Sequence, residues 1–233
     1  MKKYFLSAFA LILTLPQLIV AQGYIATYTI NVSNVPEYAK EMDNLMASEW
    51  GQDFPGYVSL THYAFNGYDD ATHAVIINYE NADQMAEGTE MFYKPAFGAF
   101  LAKTSSYTEA VEQSLHLKLI SGGEPDPEKN NVYTVFRMKV KDPSSYAKEY
   151  TKVSKAQEAS GNIEGAYGLR AQVSGNNSYY SHYAFIGASD IKSAMNGQEQ
   201  LYGSDSFKKF SKAVAGNREI IQTSTIVVLA TYE

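Results

Sequence analysis

The tetrapeptide Tyr38-Ala39-Lys40-Glu41 returns as Tyr146-Ala147-Lys148-Glu149, 108 positions later. From that echo outward, nearly every segment up to about residue 120 has a counterpart 108 to 110 positions on, so the sequence reads as a tandem duplication. A chain of this kind folds as two copies of one supersecondary unit, either fused or side by side.

The unit can be read from its first copy. Tyr24 to Val32 sets Tyr24, Ala26, Tyr28, Ile30 and Val32 against Ile25, Thr27, Thr29 and Asn31, the period of a strand. Asn34 is placed to cap a helix, with Pro36 in its first turn, Glu37 at the capping-box position and Tyr38, Met42, Leu45 and Met46 on its apolar face. Trp50 to Gly56 reads as the break after that helix. Strands are expected at Tyr57 to Phe65 and Thr72 to Tyr79, around a turn at Asn66 to Asp70. Asn81 caps a second helix, interrupted at Lys94-Pro95, and Thr108 to Ile120 closes the unit as a fourth strand. The second copy repeats this plan, with strands from Val132, Tyr167, Tyr179 and Ile220 and helix starts at Asp142-Pro143 and Asp190. Strand, helix, strand, strand, helix, strand is the split βαβ arrangement, two helices over one face of a four-stranded antiparallel sheet.

One identity points the wrong way. His62-Tyr63-Ala64-Phe65 and His182-Tyr183-Ala184-Phe185 match residue for residue, but pairing them needs a shift of 120. The remaining alignment matches His182 with His73, so the tetrapeptides are expected on different strands of their hairpins.

The ends and the composition restrict the compartment and the partners. Lys2 and Lys3, an apolar stretch from Tyr4 to Val20 and Ala21 describe a secretory signal peptide over residues 1–21, and Pro16 argues against a membrane anchor. The mature chain then divides into a repeat at 22–121, a polar, proline-broken linker at 122–130 and a repeat at 131–233, with a periplasmic or secreted location. There is no Cys, so an exported chain depends on its core rather than on disulfides. The formal charge of −6 becomes −8 once Lys2 and Lys3 are removed, and no basic run remains for a nucleic acid. No other stretch is apolar enough to cross a bilayer. Nineteen Tyr suit a sheet-rich surface or the wall of a pocket for aromatic or sugar-like ligands.

With Phe97-Gly98-Ala99-Phe100 and Ser206-Phe207-Lys208-Lys209-Phe210 after the two interrupted helices, the tandem resembles the dimeric α/β-barrel superfamily, which includes antibiotic-biosynthesis monooxygenase-like and NIPSNAP-like domains. The resemblance covers residues 24–120 and 131–233. It implies an α+β fold in which two ferredoxin-like repeats close one pseudo-symmetric antiparallel barrel with helices outside, here within a single chain. Such a chain would be a monomer with an intrachain barrel or a weak homo-oligomer; two separate ferredoxin-like domains are the other arrangement. Haem-degrading members carry an iron-ligating His on the second helix. Ala82 to Lys103 and Asp190 to Ala215 contain no His, so no haem or other cofactor is expected. The cofactor-free monooxygenases use an Asn and a Trp near the pocket, and the single Trp here is Trp50.

The candidate ligand-binding residues are His62, His73, Tyr63, Arg170, His182 and Trp50. A turn centred on Gly67-Tyr68 sets His62 opposite His73, and the equivalent turn at Asn176-Asn177 sets Ala171 opposite His182. Adjacent imidazoles can serve as acid and base or hold a metal, or they can be hydrogen-bonded groups of a sheet; no third ligand stands at metal spacing. Arg137 and Arg170 fall on strands where the first copy has Thr29 and Thr61, and inside a barrel each could hold a carboxylate or phosphate. Asn31-Val32-Ser33 and Asn176-Asn177-Ser178 match a glycosylation acceptor. Nucleophile elbow, phosphate loop and zinc motif are all missing. These observations lead to an exported protein that binds a small apolar or aromatic molecule in a Tyr-lined pocket, the first copy carrying the site. The alternative is a cofactor-independent monooxygenase or isomerase of the same superfamily.

Overall fold

Each half of the chain contributes four strands to one ring, and the ring closes only because strands of one half pair with strands of the other. The computed structural model describes residues 23–175 and 178–233. The expected signal peptide and Asn176-Asn177 lie outside the described residues. The first half runs β1 (Tyr24–Val32), α1 (Val35–Met46), α2 (Glu49–Gln52), β2 (Tyr57–Phe65), β3 (His73–Tyr79), α3 (Ala82–Met91), α4 (Pro95–Thr104) and β4 (Thr108–Gly122). The second runs β5 (Val132–Val140), α5 (Pro143–Ala159), β6 (Tyr167–Ser174), β7 (His182–Ala188), α6 (Ile191–Gly203), α7 (Asp205–Val214) and β8 (Arg218–Tyr232).

The ring order is β1-β3-β2-β8-β5-β7-β6-β4, with β4 returning to β1. All eight neighbouring pairs are antiparallel. Strands four places apart in such a ring run the same way, so β1 and β5 are parallel and a pseudo-two-fold axis follows the barrel. The hairpin loops after β2 and β6 therefore lie at the same end. The β2–β8 and β4–β6 pairs rule out two separate domains. Between the halves, residues 123–131 hold a short 3₁₀ turn, Pro127–Lys129. Asn130 ties this segment down by donating to the Glu124 and Asp126 carbonyls at 2.8 and 2.7 Å, while accepting from Ala166 N–H at 2.7 Å.

The local signals hold at equivalent places in both halves. Asn34 and Asp142 accept from the backbone N–H of Glu37 and Ser145, and Asn81 and Asp190 from those of Gln84 and Ser193. His62 faces His73, and Ala171 faces His182, each strand displaced by 109 positions between the two hairpins. The two HYAF tetrapeptides accordingly sit on strands that are not equivalent, β2 and β7. The β1–β4 ladder shifts register between Thr29 and Ile30, and the β5–β8 ladder at the equivalent Arg137 and Met138.

The first helix departs from the sequence reading. Its break comes at Ala47-Ser48, earlier than expected, and Trp50 lies on the short helix α2. Ser48 Oγ donates to the Leu45 carbonyl at 2.6 Å, and a Cβ at Gly51 would sit 2.1 Å from the Met46 carbonyl oxygen, so only glycine lets α2 fold back this closely. The equivalent α5 continues unbroken to Ala159.

Alternation along the strands divides the side chains between two environments. The outward set (Ala26, Val58, Leu60 and Ile77, for example) packs under α1 to α4, and Met138, Leu169 and Ala184 pack under the second-half helices. The intervening residues line the barrel interior. Among the described residues no helix is long and apolar enough to cross a membrane.

Candidate functional site

The largest cavity described lies between the first-half sheet and its helices and measures about 380 Å³. Its floor is the outward face of β1 and β3, including Tyr28, Val75 and Ile77; α1 and α4 supply Tyr38, Met42 and Phe100 above it. The early helix break creates the end wall. Trp50 stacks on Phe54 at 4.8 Å and on Phe97 at 5.5 Å between ring centroids, with Phe92 tilted beside them at 6.4 Å. Its indole N–H donates to the Met91 carbonyl at 2.8 Å, which fixes the ring against rotation. Tyr28 meets Phe92 edge-on, and Tyr38 meets Phe100 in the same manner, each at 5.8 Å. Burial pushes the Tyr28 phenol above its ordinary pKa, and burial followed by Tyr107 does the same to Tyr38, so both remain neutral donors. Thr104, Thr108 and Gln113 add polar groups to an otherwise apolar lining. The result is a flat-walled space suited to a planar, uncharged molecule.

The second half holds a smaller cavity of about 220 Å³ in the equivalent place, with Phe136, Met138, Tyr146 and Tyr150 among its walls. Ala159 stands 109 positions after Trp50, so this half has no counterpart to the indole wall.

The expected site residues do not converge. Trp50 alone of the six lines the first cavity. His62 and His73 lie opposite each other on the outward face, ring centroids 5.1 Å apart, yet beyond the cavity at the end of the sheet. His73 Nδ1 and Thr72 Oγ1 share a hydrogen bond of 2.8 Å, and Thr72 Oγ1 accepts from Val32 N–H at 2.9 Å. His182 repeats this contact with Ser181 at 2.9 Å, and Ser181 accepts from Val140 N–H at 3.0 Å. Burial and then the neighbouring His62 push His73 down to about 4, and burial lowers His182. His73 is therefore not poised to exchange protons near neutrality.

Tyr63 follows His62 in the strand and so points to the other face, into the barrel. There Arg137 Nη2 donates to its hydroxyl at 3.3 Å. Arg137 also donates to Gln222 Oε1 at 3.1 Å and pairs with Asp69 at 3.4 Å and Glu112 at 4.0 Å. Asp69 belongs to the loop after β2. From the loop before β7, Tyr180 places its ring 5.3 Å from the Arg137 guanidinium and its hydroxyl 2.9 Å from His116 Nε2. Arg170, deeper inside, donates to the carbonyls of Ile120 and Leu169 and lies 5.0 Å from the Phe185 ring centre. Apart from Arg170, these groups form one connected polar cluster inside the barrel, beside the loops after β2 and before β7. Among the described residues, no group of three or more His, Asp or Glu could hold a metal ion. No imidazole lines either cavity, so neither fits the haem that haem-degrading members bind through a helical His.

No protein-family model and no curated protein matches the chain. Solved structures match it in fold. A "putative monooxygenase" from Lactobacillus acidophilus NCFM aligns with a TM-score of 0.60 at 11% identity, covering 91% of this chain and 96% of that one. Another "putative monooxygenase", from Fusobacterium nucleatum, aligns at 0.61 and 16% identity, covering 92% and 94%. An anthrone oxidase-like protein aligns at 0.58 and 10% identity, covering 91% and 92%. The chain has the dimeric α/β-barrel fold, with both barrel halves in one polypeptide.

Proposed function

We propose that this dimeric α/β-barrel chain is an exported binding protein whose first-half cavity takes a small, uncharged aromatic or apolar molecule. The observation that carries the reading is the cavity of about 380 Å³ walled by Trp50, Phe54, Phe92 and Phe97. Ring faces held in place by packing and by the Trp50 hydrogen bond lose little conformational freedom when a planar guest arrives. Export rests on the signal-peptide character of residues 1–21, and the mature protein is taken as two repeats, 22–121 and 131–233, joined through 122–130. The barrel is complete within one chain, so no partner subunit is needed to close it, and the protein is taken as a monomer or a weak homo-oligomer.

A second reading is favoured by the names of the structural neighbours: a cofactor-independent monooxygenase acting on an aromatic substrate in the same cavity. The anthrone oxidase-like neighbour suggests a polycyclic ketone as the substrate class. Native mass spectrometry of the protein purified from its own compartment tests the binding reading. A neutral aromatic or apolar adduct, lost when Val75→Phe occupies the cavity, supports it; a haem, a flavin or a highly charged adduct contradicts it. Dioxygen uptake on addition of anthrone, abolished by the same substitution, would favour the enzyme.

A further inference from the structure

Arg218, the first residue of β8, brings a cation to the edge of the smaller, second-half cavity. Its guanidinium lies 5.0 Å from the centre of the Phe210 ring, and Nη1 donates to the Tyr146 hydroxyl at 3.3 Å. Among the described residues Arg218 takes part in no ion pair, whereas Arg137 has two carboxylates. The position is particular to this half. Val140 pairs with Arg218 as Val32 pairs with Thr108, so the larger cavity has a neutral threonine where the smaller has an arginine. Around Arg218 the cavity is mostly apolar, with Phe136, Met138, Val153 and Phe207 in the walls and the neutral amide of Gln157 among its few polar groups. Among the described residues no carboxylate lines this cavity, so nothing in its walls cancels the Arg218 charge.

A guanidinium beside an apolar cavity, satisfied only by a phenol and a ring face, has N–H donors left for an anion. We propose that the second-half cavity binds an amphipathic carboxylate, an aromatic or short aliphatic acid, with its apolar part among the aromatic residues and its carboxylate on Arg218 and the Tyr146 hydroxyl. One guanidinium and one phenol match the charge and donor count of a carboxylate; a phosphate dianion would need further cations. The site is separate from the first-half cavity and does not depend on the function proposed for it.

The test compares 2-naphthoate with 2-naphthalenemethanol, equal in ring and different in charge, by titration calorimetry at pH 7. With Val75→Phe filling the other cavity, so that the uncharged alcohol has no site there, the chain is expected to bind naphthoate at one site at least tenfold more tightly than the alcohol. Arg218→Met and Arg218→Gln, each added to Val75→Phe and checked for an unchanged far-ultraviolet spectrum, should both abolish the preference. The proposal is overturned by the absence of saturable naphthoate binding or of that preference in the Val75→Phe chain, or by a preference that survives when either Arg218 substitution is added.

Discussion

Tyr79 closes a space that Ala188, its equivalent 109 positions later, leaves open. The Tyr79 ring lies over α3 so closely that a Cβ on Gly88 would sit 2.7 Å from it. Over α6, beside Ala188, a polar hollow of about 190 Å³ remains, and a Cβ on Gly197 would meet only the Asn162 carbonyl, at 3.6 Å. Both glycines lie inside helices, where alanine is intrinsically favoured by about 0.5–1 kcal/mol. Packing therefore decides the sign. Gly197→Ala should stabilise the chain by about that amount, and Gly88→Ala should destabilise it by about 1–3 kcal/mol through overpacking. Urea denaturation of the two variants measures both; a shift in the same direction would mean the hollow is not there.

Acid should loosen the barrel through its histidines. His116 is pushed down to about 3, first by burial and then by Arg137 and Arg170, against a raising contact from the Ile25 backbone. His73 falls to about 4 through burial and His62. In the unfolded chain each returns to about 6.5. Their contribution is thus complete above about pH 6.5 and is lost as pH falls toward 4 and then 3, because the unfolded chain binds protons that the folded chain refuses. Tm should fall steadily from pH 7 to pH 4. His116→Gln can keep a hydrogen bond to Tyr180 and does not titrate, so its Tm should fall less over that range. Identical pH slopes for variant and wild type would remove His116 from this account.

Arg137 ties the two hairpin loops to the barrel. Truncating it leaves Asp69 and Glu112 without their cation at the mouth of the barrel. Arg137→Met should cost about 3 kcal/mol, within the range for breaking a largely buried ion pair from one side. Asp69→Asn added to that variant should restore part of the loss. If the two substitutions are strictly additive in denaturant titrations, the contact carries no coupling.

The barrel was legible in the sequence for identifiable reasons. Helix caps such as Asn81 and Asp190 act within three residues, and the His62–His73 and Ala171–His182 registers follow from where each turn is centred. The cavity was less legible, because Tyr28, Tyr38 and Met42 follow the same apolar periodicity as any packed core, and nothing local shows that the space above them is incompletely filled. Tyr63 looked like a neighbour of His62 in sequence, but strand alternation sends it to the opposite face. Trp50 was expected in a break after the helix; the close approach of Gly51 to Met46 instead turns that segment into a wall. Arg218 precedes the strand start expected at Ile220, and its value comes from Phe210 and Tyr146, which only the tertiary fold brings to it.

The central claim, an aromatic guest against the indole wall, can be read directly from the single tryptophan. Trp50 lines the cavity, so its fluorescence reports on occupancy. Titration with anthrone should quench or shift the Trp50 emission in a saturable, one-to-one manner, and Val75→Phe should abolish the response while leaving the fold intact. An emission that does not change across the titration, or a response that persists undiminished in Val75→Phe, would contradict the assignment of this cavity as the binding site.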